Sequence, residues 1–141
     1  MVDETNLLHI AEKLQSSPYE QLNENQKIFL TIWDMEIELN NGGYSQYFFN
    51  SSGRYAHEAA DNLILIGAHN CERLLNKAIE ALNISFENWK VDELRQDQVA
   101  NADESVEDEF DRLDSLFYQY PDDLCGLLTR FVSCHPAEFD I

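Results

Sequence analysis

Carboxylate side chains recur every three or four residues between positions 103 and 114, and this is the strongest chemical pattern in the chain. Seven acids fall within these twelve residues, and Arg112 is the one basic residue among them. Neighbours at this spacing on a helix lie about 5–6 Å apart and repel each other by a few tenths of a kcal/mol per pair. Repeated anionic oxygens on one helix face attract basic proteins and metal cations. The candidate binding residues are Asp103, Glu104, Glu107, Asp108, Asp111 and Asp114.

This acidic run works against helix stability, because like charges recur without lysine partners. A local rule that is broken without a visible structural gain tends to mark a functional surface. A row of carboxylates also resembles the phosphates of one DNA strand, and DNA-binding proteins gain much of their affinity from Lys and Arg that neutralise phosphates. We therefore expect the run to bind a basic DNA-binding protein. The alternative is a solvated helix face without a partner.

Catalytic and cofactor motifs are not found in the sequence. It contains no GxGxxG, GxxxxGK[ST], GxSxG or HExxH pattern, so the usual nucleotide, hydrolase and zinc-protease sites are not indicated. His57, with Glu58 and Asp61 nearby, has the type of side chain that acts in acid–base catalysis. No nucleophile accompanies it, and a surface histidine is the simpler interpretation. We expect neither enzymatic activity nor a cofactor.

Metal-binding residues also lack their usual spacing. His69, Cys71, Cys134 and His135 are zinc ligand types, but no CxxC or HxxxH pair is present. Cys71 falls on an apolar helix face, which favours a buried structural thiol. The carboxylates suit Ca²⁺, but no EF-hand loop with its glycine and terminal glutamate surrounds them. No metal site is therefore expected.

Length and composition indicate one globular domain over residues 1–141. Of these residues, 44% are hydrophobic and 11% aromatic, which is enough for one hydrophobic core. The 27 Asp and Glu residues exceed the nine Lys and Arg residues, for a net charge of −18. Such a field repels nucleic acid and anionic membranes and attracts basic proteins. Solubility alone is the simplest alternative purpose of the charge.

Cellular location is indicated by three weaker features. No segment approaches the roughly 20 apolar residues of a membrane helix. The first residues are acidic where a secretory signal carries Lys or Arg. Cys71, Cys125 and Cys134 are odd in number, which is typical of free thiols in a reducing compartment. These features predict a cytoplasmic protein.

Apolar periodicity predicts an all-α fold, a single compact domain of about six or seven helices. Helices are expected over about residues 3–15, 23–39, 44–50, 55–68, 70–82, 105–118 and 121–134. The second helix has two apolar stripes, one with Ile28 and one with Ile37, and is expected at the centre of the domain. Pro121 is expected to open the last helix, with Asp122 and Asp123 in its first turn. Residues 83–102 give no clear assignment. Ile84, Phe86 and Trp89 are expected to anchor a loop to the core, and the polar residues beyond them are expected to be mobile or partly helical.

A polar, glycine-rich motif follows the second helix. Its members are Asn40, Asn41, Gly42, Gly43, Gln46, Asn50, Ser51, Ser52 and Gly53. The glycines allow sharp turns, and the neutral polar side chains can satisfy the ends of helices. We interpret the motif as structural. The alternative is a polar pocket for a small ligand.

The segment from Glu38 to Ala68 resembles the DNA mimic protein family, a bacterial family of acidic proteins. The resemblance rests on four ordered pieces, Asn40-Asn41-Gly42-Gly43, Gln46-Tyr47-Phe48, Asn50-Ser51-Ser52-Gly53 and Ile66-Gly67-Ala68. It implies an all-helical domain, often dimeric, with acidic surfaces placed like the phosphates of duplex DNA. It also implies a helix-turn-helix transcription factor as the kind of partner.

The combined expectation is an acidic binding protein that presents a DNA-like carboxylate surface and sequesters a basic DNA-binding protein. It would bind neither nucleic acid nor membranes itself. One alternative is an immunity or antitoxin protein that covers a basic nuclease, and another is a small-ligand-binding domain. A homodimer is also expected, from the resemblance and from surplus aromatic residues of a kind common at interfaces. These are Tyr55, Tyr118 and Tyr120.

Overall fold

Helices account for most of residues 3–140, the range that the computed structural model describes. This range contains no β-strand, so the all-α prediction is confirmed. Its eight α-helices are α1 (Glu4–Gln15), α2 (Glu24–Phe49), α3 (Ala56–Leu65), α4 (His69–Leu82), α5 (Phe86–Trp89), α6 (Asp92–Ala100), α7 (Glu104–Phe117) and α8 (Leu124–Ser133). Short 3-10 helices cover Tyr19–Gln21, Ser51–Tyr55 and Pro136–Phe139.

Helix α2 lies at the centre of the domain, as expected, and contacts α1, α3, α6, α7 and α8. Phe29, Ile32, Met35 and Leu39 are buried along it. Ile37, however, is 51% exposed, so the second apolar stripe is buried only in part. The exposed part of α2 around Ile37 lies beside Glu4 and Leu7 of α1.

A sharp bend divides α2 into residues 24–41 and 44–49. Gly43 has φ +74° and ψ −169°, which takes the chain out of the helix between the two parts. A positive φ is easily adopted by glycine and costs energy for other residues. The predicted end of the second helix near residue 39 and the short helix predicted over residues 44–50 both agree with this bend.

Local capping sets the start of the first two long helices. The Asp3 carboxylate accepts from the backbone N–H of Asn6 at 3.1 Å, and the Asn23 side chain accepts from Gln26 at 2.8 Å. In both cases the third helical residue bonds back to the cap, forming a capping box.

Helices α5 and α6 lie within residues 83–102, for which the apolar pattern predicted no definite element. They are held to the core by Trp89 and Arg95, which are both 0% exposed. Arginine counts as a polar residue when apolar periodicity is analysed. The spacing of apolar residues therefore did not reveal which side of α6 faces the core. Tertiary contacts decide the structure of this segment.

The start of α8 differs from the prediction. Asp123 is the N-cap and accepts from the backbone N–H of Gly126 at 3.0 Å, so Pro121 lies before the helix and does not open it. The Asp122 carboxylate accepts from the backbone N–H of Cys71 at 2.7 Å and from the Asn70 side chain at 3.0 Å. It therefore caps α4, and the expectation that Pro121 begins the last helix was wrong because Asp122 serves a different helix.

Crossing a bilayer requires a long apolar helix, and no helix within residues 3–140 is of that kind.

Candidate partner-binding surface

Helix α7 carries the acidic run, and its apolar side fixes its orientation. Phe110, Leu113 and Phe117 are buried and face α2 and α4, the two helices that α7 packs against. The ring of Phe110 packs edge-on against Phe48 of α2, with 5.7 Å between the ring centroids. Burying three large side chains of one short helix stabilises it by several kcal/mol. This anchoring overcomes the like-charge repulsion on the opposite side.

Four carboxylates of α7 and a fifth from its N-cap residue form one exposed row. We call it the acidic row and define it as Asp103, Glu104, Glu107, Asp108 and Asp111, all of which are exposed. Within residues 3–140 none of the five forms an ion pair with Lys, Arg or His. Asp103 uses one oxygen to accept from the backbone N–H of Val106 at 3.0 Å, which caps α7. The remaining oxygens face solvent.

One edge of α7 is neutralised. Arg112 bonds to Glu109 through two nitrogens, at 2.7 and 3.2 Å. This guanidinium lowers the pKa of Glu109, and Lys77 of α4 lowers it slightly further. The basic side chains thus lie on the side of α7 that carries Glu109, while the acidic row has none.

Asp114 does not belong to the acidic row. It is half-buried, and its carboxylate accepts from the backbone N–H of Tyr44 at 2.9 Å. It therefore caps residues 44–49 of α2, immediately after the bend. Burial raises the pKa of this carboxyl, and the bond from Tyr44 opposes that change. The candidate set from the sequence is thus divided, with five exposed acids and one acid that joins α7 to the bend of α2.

The bend itself is bridged by Glu38. One oxygen of its carboxylate accepts from the side-chain amides of Gln46 at 2.9 Å and Asn50 at 2.8 Å. Glu38 precedes the bend and the two amides follow it, so the three side chains fix the angle between the parts of α2. Glu38 was not singled out from the sequence, because nothing local distinguishes it from the other acids of α2.

The end of the glycine-rich motif lies in the core. Gly53 is buried, and a Cβ atom there would approach the carbonyl oxygen of Tyr47 to 2.1 Å. Its own carbonyl accepts from the indole N–H of Trp89 at 2.8 Å. The backbone of Asn50 accepts from Arg95 at 3.2 Å. These residues bring α2, α5 and α6 together, whereas Asn41 and Ser51 are exposed.

The tyrosines from which a homodimer was expected make contacts within their own chain. Tyr55 stacks on Tyr19 with 3.9 Å between ring centroids. Tyr118 donates to the carbonyl oxygen of Leu39 at 2.6 Å, and Tyr120 donates to Glu36 at 2.8 Å. Tyr120 also accepts from Asn40 of the motif at 2.7 Å. The homodimer stays a prediction, with less support from these residues.

Within the described residues, the histidine and cysteine side chains do not form a metal-binding cluster. Among the described residues no group of three or more His, Cys, Asp or Glu is placed to hold a metal ion. Cys71 is buried, and burial raises its thiol pKa to about 12, whereas Cys134 is exposed. His135 lies 3.2 Å from the side chain of Asn25. His57 packs edge-on against Trp89, and burial lowers its pKa.

A comparison with protein families gives one match. The sequence model of the DMP19-like protein family matches residues 20–135 of the chain. No curated protein and no solved structure gives a significant match. The match begins after α1 and includes the bend of α2, the acidic row and α8.

Proposed function

The chain belongs to the DMP19-like protein family, and from this premise we propose that it is an acidic binding protein that occupies the DNA-binding surface of a basic protein. The observation that carries the proposal is the acidic row. Its carboxylates are exposed, lack ion-pair partners among residues 3–140, and stand on a helix that the core holds in place. A helix-turn-helix transcription factor is the kind of partner that the proposal favours.

The charge arrangement supports binding more than solubility. Several acids of this chain are used inside the fold, as the caps made by Asp114 and Asp122 and the bridge made by Glu38 show. Within the acidic row, Asp103 has such a structural role as the N-cap of α7, and the other four acids have none in the part of the chain that the structure describes. Its members repel one another and gain no compensation from the protein itself. A basic partner would supply that compensation.

The dimensions of the row limit what it can imitate. From Asp103 to Asp111 the helix rises about 12 Å, at roughly 1.5 Å per residue. One strand of duplex DNA rises about 3.4 Å per phosphate, so along its axis the row spans about three and a half phosphate steps of one strand. We infer that it contacts one short basic element, such as the amino-terminal end of a recognition helix.

A rigid row favours binding because little conformational freedom is lost. Asp114 ties α7 to the bend of α2 through Tyr44, and Phe110 and Leu113 anchor the same helix in the core. Pre-organised charges bind more tightly than mobile ones. No catalytic role is proposed for the chain.

We expect the immobilised protein to capture basic DNA-binding proteins from its native cytoplasm at about 50 mM salt and to release most of them at about 500 mM. Ionic screening shortens the range of charge interactions from about 14 Å to about 4 Å over this interval. A duplex DNA of arbitrary sequence should elute the same proteins at low salt, since it competes for the same basic surface. Mass spectrometry of the eluate identifies them.

The control for this capture experiment is elution with a neutral polymer of similar size. Proteins that resist duplex DNA but leave at high salt would contradict the proposal, because they bind elsewhere than through a DNA-binding surface. Recovery of a basic nuclease encoded beside this chain would favour the immunity alternative, which uses the same electrostatics.

A further inference from the structure

A cleft of about 210 Å³ lies between α1, α2 and the 3-10 helix Ser51–Tyr55. No member of the acidic row lines it, so it is a separate site. Its polar and aromatic lining includes Tyr19, Thr31, Asp34, Ser52, Arg54 and Tyr55. A small cleft with a few convergent polar groups is the usual form of a ligand site.

Asp34 is the charged group of α2 that faces this cleft without a cation. Its carboxylate is half-buried and accepts from the side-chain amide of Gln15 at 2.9 Å. It forms no ion pair within residues 3–140. Burial raises the pKa of this carboxyl. A partly buried carboxylate without a cation is disfavoured unless something supplies the missing charge.

Two hydroxyl groups near Asp34 are also unsatisfied. Ser52 lines the cleft, and its Oγ atom and the hydroxyl of Tyr47 are buried and have no hydrogen-bond partner in the described part of the chain. Asp34 is the charged group that acts most strongly on Tyr47, and it adds to the rise in the pKa of that hydroxyl that burial causes. Buried polar atoms without partners are few in folded proteins, and an absent ligand is one explanation for them.

Aromatic stacking and cation–π contacts hold the wall of the cleft in place. Tyr19 and Tyr55 stack at 3.9 Å between ring centroids. Lys27 lies over the Tyr19 ring at 5.1 Å, and Lys90 lies over the Tyr55 ring at 5.0 Å. Arg54 is held by an ion pair with Asp92. The wall is therefore formed before any ligand arrives, and its three cations are already paired with Glu24, Asp92 and Glu58.

The volume of the cleft sets the size of the ligand, and the carboxylate of Asp34, unpaired within residues 3–140, sets its charge. The volume equals that of about seven water molecules at roughly 30 Å³ each. We propose that the Asp34 cleft binds a small organic monocation, a primary amine that also carries a hydroxyl group. Its ammonium group would bond to the free oxygen of Asp34 in a charge-assisted bond. Its hydroxyl group would bond to Ser52 once the Ser52 side chain rotates to turn its Oγ atom toward the cleft. This site is independent of the function proposed for the acidic row.

The test uses 4-amino-1-butanol as the probe and 1,4-butanediol as its neutral match. At about 150 mM salt, where general attraction to the acidic protein is largely screened, the amine should shift the amide resonances of residues 51–55 in a saturable way. The diol should not. Asp34→Asn should weaken the amine at least about tenfold, because the charge-assisted bond is lost. Ser52→Ala should weaken it less.

Glu36→Gln is the matched control. Glu36 lies two residues further along α2, loses the same charge on substitution, and lines another cleft, where Tyr120 donates to it. This variant should bind the amine as the original protein does. The proposal is overturned if the amine causes no saturable shift, if the diol shifts the same resonances, or if Asp34→Asn and Glu36→Gln bind equally well.

Discussion

Replacing Arg95 with alanine should destabilise the fold by about 3–5 kcal/mol, as expected when one partner of a buried charged network is removed. The guanidinium is 0% exposed and donates to the carbonyl oxygens of Phe48 at 2.6 Å, Trp89 at 2.7 Å and Asn50 at 3.2 Å. It also donates to the Asp92 carboxylate at 3.0 Å. Truncation leaves these acceptors without their donors and opens a cavity between α2 and α6. Urea unfolding with linear extrapolation measures the loss.

Two further variants separate the causes of this effect. Arg95→Lys keeps the charge but not the planar fork of donors, so it should recover only part of the stability. Arg73→Ala removes an exposed arginine of α4 and should change stability by no more than about 0.5 kcal/mol. An Arg95→Ala protein within about 1 kcal/mol of the original would show that the guanidinium does not hold α6 to the C-terminal end of α2.

Replacing Gly43 with alanine should lower the free energy of unfolding by about 3 kcal/mol, because backbone strain and steric overlap add. The φ of +74° with ψ of −169° lies in a region that is essentially restricted to glycine, and it disfavours any side chain by about 1–3 kcal/mol. The new Cβ atom would also approach the Asp114 carboxylate oxygen to 2.3 Å, so that the cap on Tyr44 must shift. Thermal and urea unfolding of the variant measure the sum.

Gly67→Ala isolates the strain from the overlap. Gly67 has a similar φ of +89°, but the nearest side-chain atom to an added Cβ is 4.0 Å away. This variant should lose only about 1–2 kcal/mol. The double variant Gly43→Ala with Asp114→Ala should be more stable than the sum of its single changes predicts. Equal losses for the two glycine variants, or additivity in the double variant, would disprove the contact between Gly43 and Asp114.

Features that depend on neighbouring residues could be predicted from the sequence. The caps at Asp3 and Asn23 follow from bonds between residues three apart, and the bend follows from two adjacent glycines. The burial of Phe110 and Leu113 follows from their helical spacing. The acidic row was predicted in the same way, because the buried face of a helix determines its exposed face.

Features that depend on distant residues could not be predicted. Asp114 caps a helix 70 positions earlier, and Asp122 caps one 51 positions earlier. Before folding, these carboxylates look like any others in an acidic run. Arg95 is buried although its side chain is charged, so a pattern of apolar residues cannot reveal it. Asp34 joins Ser52 in one cleft only because α2 bends between them.

The consequence for the acidic run is that charge and location have to be considered together. Of the six candidate acids, Asp114 links α7 to the bend of α2. Asp103 is exposed and also caps the N-terminus of α7. The four remaining acids have no assigned contact within the described residues, and they are the best positions at which to test binding.

The central claim is tested most directly by the affinity of a captured DNA-binding protein for two variants of equal charge. The first neutralises the acidic row while keeping the cap, as Glu104→Gln, Glu107→Gln, Asp108→Asn and Asp111→Asn. The second neutralises four exposed acids elsewhere, as Glu12→Gln, Glu20→Gln, Glu80→Gln and Glu93→Gln. The first should bind about tenfold more weakly than the original protein, if each lost contact is worth a few tenths of a kcal/mol. The second should lose about twofold or less, because distant charges are screened. Equal affinity of the two variants would contradict the claim, since net charge and not the acidic row would then determine binding.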